Sequence, residues 1–197
     1  MRWFLLLLLL IAGGAYVYTQ EPPPVEQPPG ILVDADPLQT DPDRDSWQFE
    51  NYTVRPLATI DMRARVLGKT KYFFDKESEL APYDLALGWQ HMSDTEVLKH
   101  ISISQAGRWY YMSWEELPPN AMDPNVYSAN MHVIPGNEKA LDTIKNIREG
   151  QLVNMKGYLV QVIANDDDWA WTSSTSRYDL GQSSCELVWV QNISVEK

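Results

Sequence analysis

Three residues have the types that a cysteine hydrolase uses, namely Cys185, His132 and Asn130. Catalysis by a cysteine nucleophile needs a thiolate, a base that removes the thiol proton and a polar group that orients the base. Thiolates usually form at helix N-termini or beside a cation. Here Cys185 leads into the apolar residues 187–190, which predict a strand. We therefore predict no catalytic residue, with a cysteine-dependent hydrolase that uses Cys185 and His132 as the alternative.

A second group of residues predicts a surface that binds a ligand or partner. Trp169, Trp171 and Arg177 border a serine-rich loop, and Trp89 follows the apolar stretch DLALG. Indole rings can hold planar or sugar-like ligands, and a guanidinium binds carboxylates or phosphates. The competing interpretation is structural, with Arg177 and Asp179 bracing the loop and Trp89 filling one end of the fold.

Composition and charge argue against several other classes of site. A single cysteine cannot form an intramolecular disulfide, and the three histidines lack the H-x-H and H-E-x-x-H spacings of metal sites. The formal net charge is −11 and the basic residues form no stripe, whereas binding a phosphate backbone requires clustered Lys and Arg. We predict no metal, no cofactor and no nucleic-acid partner.

The N-terminal residues predict an exported protein. Residues 3–18 are apolar and uncharged, and Arg2 precedes them, which favours export of the rest of the chain. The stretch is short for a spanning helix, which needs about 20 residues. It is predicted as an uncleaved anchor, and a signal peptide cut after Ala15 is the alternative. The acidic, proline-rich residues that follow predict an extended stalk. The expected domains are an anchor (1–19), a stalk (20–45) and a globular head (46–197).

The head is predicted to be α+β and rich in strands. TIDMRARV alternates, so that the apolar residues of 60–66 share one face, and Gly68 is predicted to end this strand. Ser93 and Asn137 are predicted N-caps of two short helices. The apolar phase switches at Gly157, which predicts a bulge or sharp bend. About six strands with two helices predict a small OB-like barrel, with an SH3-like barrel or a sandwich as alternatives.

Several segments together resemble a family of uncharacterised bacterial proteins that have an N-terminal membrane segment and a β-rich exported head. They are PYDLALGWQHMSD, ISISQAGRWYY, SANMHVIP, GQLVNMKGYLVQV and CELVWV. The resemblance implies a bacterial source and a recurring head architecture, and it brings no catalytic residues. Members of the family have a glycine-rich turn before the cysteine, where this chain has GQSS. This difference disfavours a backbone anion site in that turn.

These observations predict a non-enzymatic binding module of the bacterial envelope. Residues 3–18 hold it in the inner membrane, with the head in the periplasm or outside, and a cleaved segment would make it periplasmic or secreted. The expected partner is another envelope protein or a small ligand, bound through an aromatic rim. A purely structural spacer in a larger complex is a further alternative. The rim residues are Trp89, Trp169, Trp171 and Arg177.

Overall fold

The computed structural model describes residues 22–176 and 185–196. The strands in these ranges are Leu38–Thr40 (β1), Trp47–Phe49 (β2), Tyr52–Lys71 (β3), Tyr83–Gly88 (β4), Ser102–Ala106 (β5), Trp109–Ser113 (β6), Ser128–Pro135 (β7), Leu152–Ala164 (β8), Ala170–Thr172 (β9) and Glu186–Val195 (β10). The α-helices are Thr95–Leu98 (α1) and Glu138–Asn146 (α2), and two 3₁₀ helices cover Lys76–Glu79 and Gln90–Ser93. The predicted anchor lies outside the described residues. Within them, no helix has both the length and the apolar character needed to cross a bilayer.

Eight strands form one sheet, with the pairing order β1-β3-β4-β7-β10-β8-β9 and β2 attached to β3. Because β3 also pairs with β8, the strands β3, β4, β7, β10 and β8 pair in a ring. β7 and β10 run parallel, and the other pairs of this ring are antiparallel. β1, β2 and β9 extend the sheet beyond the ring, so it is not a clean barrel. The prediction of a β-rich head with two short helices is confirmed.

β3 is longer than its sequence pattern predicts. The side chains of Ile60, Met62 and Val66 are at most 3% exposed and lie in the main core, which confirms the predicted alternation. The predicted end of the strand at Gly68 is wrong, since β3 continues to Lys71. A shift in register between Val66 and Gly68 accommodates the glycine without breaking the pairing with β4.

The apolar pattern of β8 changes at Gly157 because a second core begins there. Val153 and Met155 face the main core, whereas Val160 and Val162 face a second core. The strand runs through Gly157 without interruption, and both of its faces become buried. The predicted bulge at Gly157 is present in the pairing with β10, where the register shifts between Val190, the partner of Gly157, and Asn192, the partner of Lys156. The glycine is needed for a close approach, since a Cβ there would lie 2.0 Å from the carbonyl oxygen of Trp189.

The cap of one helix agrees with the sequence prediction and the cap of the other differs. Asn137 caps α2 as predicted, accepting a hydrogen bond from the Ala140 amide at 2.9 Å. α1 is capped by Asp94, which accepts from the Glu96 amide at 2.8 Å, and not by Ser93. The Ser93 hydroxyl instead contacts a distant segment of the chain.

Residues 22–40 lie against the head. The Ser93 hydroxyl accepts hydrogen bonds from the amides of Leu32 and Val33 at 3.0 and 2.9 Å, and Val33 is 1% exposed. Gly150 has φ +83°, and a Cβ there would lie 2.0 Å from the Val25 carbonyl oxygen. β1 pairs with β3. Part of the proline-rich segment is therefore packed as an element of the head.

Gly150→Ala is expected to destabilise the protein by about 2 kcal/mol or more, because it combines a strained backbone with a clash against residue 25. The measurement is urea unfolding of the full chain. Gly30→Ala is the matched control, since Gly30 also has a positive φ, +102°, and a Cβ there would meet no atom within 4 Å. An equal loss in both variants would contradict a stabilising role for the contact with Val25.

Candidate binding site

The candidate site is organised around the carboxylate of Asp84 on β4, which is completely buried. Its Oδ1 accepts hydrogen bonds from His132 Nδ1 at 2.7 Å and from Arg108 Nη1 at 3.1 Å. Its Oδ2 accepts from Asn130 Nδ2 at 3.2 Å. The antiparallel register of β4 and β7 places Asp84 directly opposite His132. Such partners are required because an unpaired buried carboxylate costs several kcal/mol.

Arg108 connects this carboxylate to two points of the connection between β3 and β4. Its Nε and Nη2 donate to the two carboxylate oxygens of Asp75 at 2.9 and 2.8 Å, and Nη1 donates to the Ala81 carbonyl at 2.8 Å. Burial lowers the pKa of Arg108, but the hydrogen bond to Asp75 and the charges of Asp84 and Asp75 outweigh it, so that its pKa is raised. The same hydrogen bond lowers the pKa of Asp75. The charged guanidinium of Arg108 therefore connects Asp84 to Asp75 and Ala81 within the fold, and it is called the connector below.

The backbone at Arg108 is held in an unfavourable conformation. Gly107 and Arg108 form the two-residue turn between β5 and β6, with φ +56° and +71°. Both angles suit the type I′ turn of a hairpin, but a bulky side chain rarely adopts the second. Because the sequence places an arginine there, its hydrogen bonds must offset the backbone strain.

A cavity of about 200 Å³ lies beside His132. The Trp171 ring packs on the imidazole, with centroids 4.9 Å apart. Because Nδ1 of His132 donates to Asp84, Nε2 is the nitrogen that carries the lone pair in the neutral ring. The side chains that line the cavity come from five separate positions along the chain. The lining residues are Glu77, Arg108, Trp109, His132, Trp171 and Cys185.

The parallel pairing of β7 with β10 explains why Cys185 and His132 line one cavity. His132 is the register partner of Leu187, and alternate side chains of a strand share a face. Cys185 immediately precedes β10 and is two residues before Leu187. The structure therefore brings together two residues of the predicted catalytic alternative. The third, Asn130, contacts Asp84 and Gln105, and the group that contacts His132 is Asp84.

The predicted rim residues occupy different environments. Trp89 is 2% exposed and belongs to the main core, so it is not part of a rim. Trp171 lines the cavity, and the Trp169 ring lies 6.3 Å from it. Trp169 also packs on Tyr52, at 5.9 Å between ring centroids. Arg177 lies outside the described residues.

Sequence reasoning did not assign Arg108 or Glu77 to this site, and it gave Asp84 no specific role. A lone aspartate inside the apolar run of β4 is a usable sequence signal of a buried polar network, because a buried carboxylate requires charged or polar partners. An arginine next to a glycine in a hairpin turn is a weaker one. Nothing local distinguishes Glu77 from the neighbouring acidic residues.

Comparisons with known proteins give no relative: no family model, curated protein or solved structure matches this chain. In the described part of the chain, no group of three or more His, Cys, Asp or Glu side chains is arranged to hold a metal ion.

Arg108→Asn is expected to lower the free energy of unfolding by about 3 kcal/mol, because Asp84 stays buried without its cationic partner. Asparagine tolerates a positive φ, so the change isolates the side-chain contacts from backbone strain. The measurement is chemical denaturation. Lys76→Ala is the control, since its salt bridge to Asp167 is exposed to solvent and contributes little to stability. Equal losses in the two variants would rule out Arg108 as the connector.

Proposed function

We propose that the head is an OB-like binding module and that the cavity beside His132 is its ligand site. The five strands of the ring, numbered along the chain, pair in the order first, second, third, fifth and fourth, and the fourth returns to the first. The third and fifth are parallel, and α2 lies between the third and fourth. This pairing order and the place of α2 support an OB-like arrangement with additional strands at its edges.

The position of the cavity is the observation that carries this proposal. OB folds bind ligands on their second and third strands and through the loops that follow the first and fourth strands. Here the third strand supplies His132, the loop after the first strand supplies Glu77, and the connection after the fourth strand supplies Trp171 and Cys185. A site at this position agrees with the general use of the fold.

The proposal keeps the envelope setting predicted from the sequence. The head is attached to the bacterial inner membrane through residues 3–18 and faces the periplasm or the outside. A small ligand is favoured over a protein partner because the site is a cavity, and small-molecule sites are concave. Its volume of about 200 Å³ is below the usual range of drug-sized sites, which limits the size of the ligand. A net charge of −11 disfavours nucleic acid.

Small fragments chosen without regard to charge are expected to bind the full-length protein. Trp109→Ala is expected to lower their affinity by about tenfold. Trp109 lines the cavity and is 39% exposed, so its truncation leaves the fold intact. The measurement is ligand-observed NMR. Tyr111→Ala is the matched control, because Tyr111 lies on the same strand, β6, is 52% exposed and does not line this cavity. Fragment binding that is unchanged in Trp109→Ala would refute the site.

A cysteine-dependent hydrolase is the second candidate, and one observation favours it. Cys185 and His132 line the same cavity, and the buried Asp84 orients His132 through Nδ1. A nucleophile, a base and an orienting carboxylate are the parts of such a site. His132 Nε2 would take the proton of Cys185, the thiolate would attack an acyl carbon, and the imidazolium would return the proton to the leaving group. Water would then hydrolyse the thioester.

The hydrolase candidate predicts that iodoacetamide alkylates Cys185 at pH 7 at least about tenfold faster in the wild type than in His132→Asn. The chain has one cysteine, so mass spectrometry reports this residue alone. His100→Asn is the control, because His100 lies outside this cavity. A wild-type rate no higher than that of a simple thiol, with no difference between the variants, would remove this candidate.

A further inference from the structure

We infer that the cavity beside His132 takes a small organic cation that carries an ammonium group. This inference rests on the proposed function, because it names the ligand class of the proposed site. Three observations support it: the balance of charge around the cavity, a carboxylate on its wall that has no partner among the described residues, and two indole rings.

The described charges around the cavity leave an excess of carboxylate. Asp75, Glu77 and Asp84 carry three negative charges, and Arg108 carries one positive charge, so the net charge of these four side chains is −2. The nearby cation Lys76 is bound to Asp167 at 2.6 Å. An anionic ligand would therefore meet repulsion, whereas a cation would be attracted.

Arg108 does not serve as an anion receptor here. Its guanidinium makes four hydrogen bonds, two to Asp75, one to the Ala81 carbonyl and one to Asp84. A guanidinium has five N–H donors, so at most one remains. The bidentate geometry that an arginine needs to recognise a carboxylate or phosphate is already used within the fold.

Glu77 supplies the charge that a ligand would meet. It lies in the 3₁₀ helix between β3 and β4, and only its backbone carbonyl takes part in hydrogen bonds among the described residues. Within those same ranges its carboxylate has no hydrogen bond or salt bridge, in contrast to Asp75 and Asp84. A half-buried carboxylate on a cavity wall is stabilised when a cation occupies the cavity.

Two indole rings of the wall contribute to the recognition of a cation. Trp109 and Trp171 both line the cavity, and the Arg108 guanidinium already lies over the Trp171 ring, 5.6 Å from its centroid, so Trp109 is the ring offered to a ligand. An ammonium group within about 6 Å of an indole centroid is attracted by the negative face of the ring. In addition, Nε2 of neutral His132 can accept a hydrogen bond from a ligand N–H. The volume of about 200 Å³ limits the ligand to a small amine.

The test compares choline and n-butylammonium with 3,3-dimethylbutan-1-ol, the uncharged isostere of choline. The full-length protein in detergent micelles is titrated with each compound, and the indole N–H signals of Trp109 and Trp171 are followed by NMR after assignment with Trp→Phe variants. We expect at least one cation to shift both signals to saturation, with the isostere at least about tenfold weaker. Glu77→Gln is expected to lower the affinity for the cation by about tenfold, without changing the affinity for the isostere.

Glu79→Gln is the matched control, because Glu79 lies in the same 3₁₀ helix, is exposed and does not line the cavity. Equal binding of choline and its isostere, unaffected by Glu77→Gln, would overturn the cation inference and leave the cavity as a site for neutral ligands. If neither cation shifts the two signals, the inference also fails. The fragment experiment with Trp109→Ala then decides separately whether the cavity is a ligand site.

Discussion

The buried carboxylate of Asp84 imposes the main constraint on this part of the molecule. A charge without solvent contact must be compensated inside the fold, and Asp84 receives donors from Arg108, His132 and Asn130. These residues lie on β7 and on the turn of the β5–β6 hairpin, so the compensation fixes both elements against β4. Arg108 extends the connection to Asp75. The cavity is the space left among the elements that this network holds together.

The same network determines which chemistry remains for a ligand. Arg108 is occupied by internal partners, so it contributes stability and not recognition. His132 presents Nε2 because Nδ1 is bound to Asp84. Among the described residues of the wall, Glu77 is left as the uncompensated charge, beside two indole rings. Stability and the proposed selectivity therefore have one origin, since the residues that neutralise Asp84 leave negative charge at the cavity.

The packing of residues 22–40 against the head is a feature that the composition of this segment does not predict. Prolines and acids predict extended backbone, and an extended segment has few internal hydrogen bonds. Whether such a segment projects or packs depends on the surface beside it. Here the Ser93 hydroxyl accepts hydrogen bonds from two backbone amides of the segment, and Gly150 allows the backbone at Val25 to approach closely. Neither feature can be read from the segment itself.

The sequence by itself determined the features that depend on local periodicity and local hydrogen bonds: the inward face of residues 60–66, the Asn137 cap and the β-rich class. β4 and almost all of β7 are buried on both faces, so they show no alternation and were not predicted as strands. Their register alone places Asp84 opposite His132, 48 residues away in the chain. The position of Cys185 likewise depends on the parallel pairing of β7 and β10. Only the tertiary structure decided the site, because distant strand pairing leaves no short-range pattern.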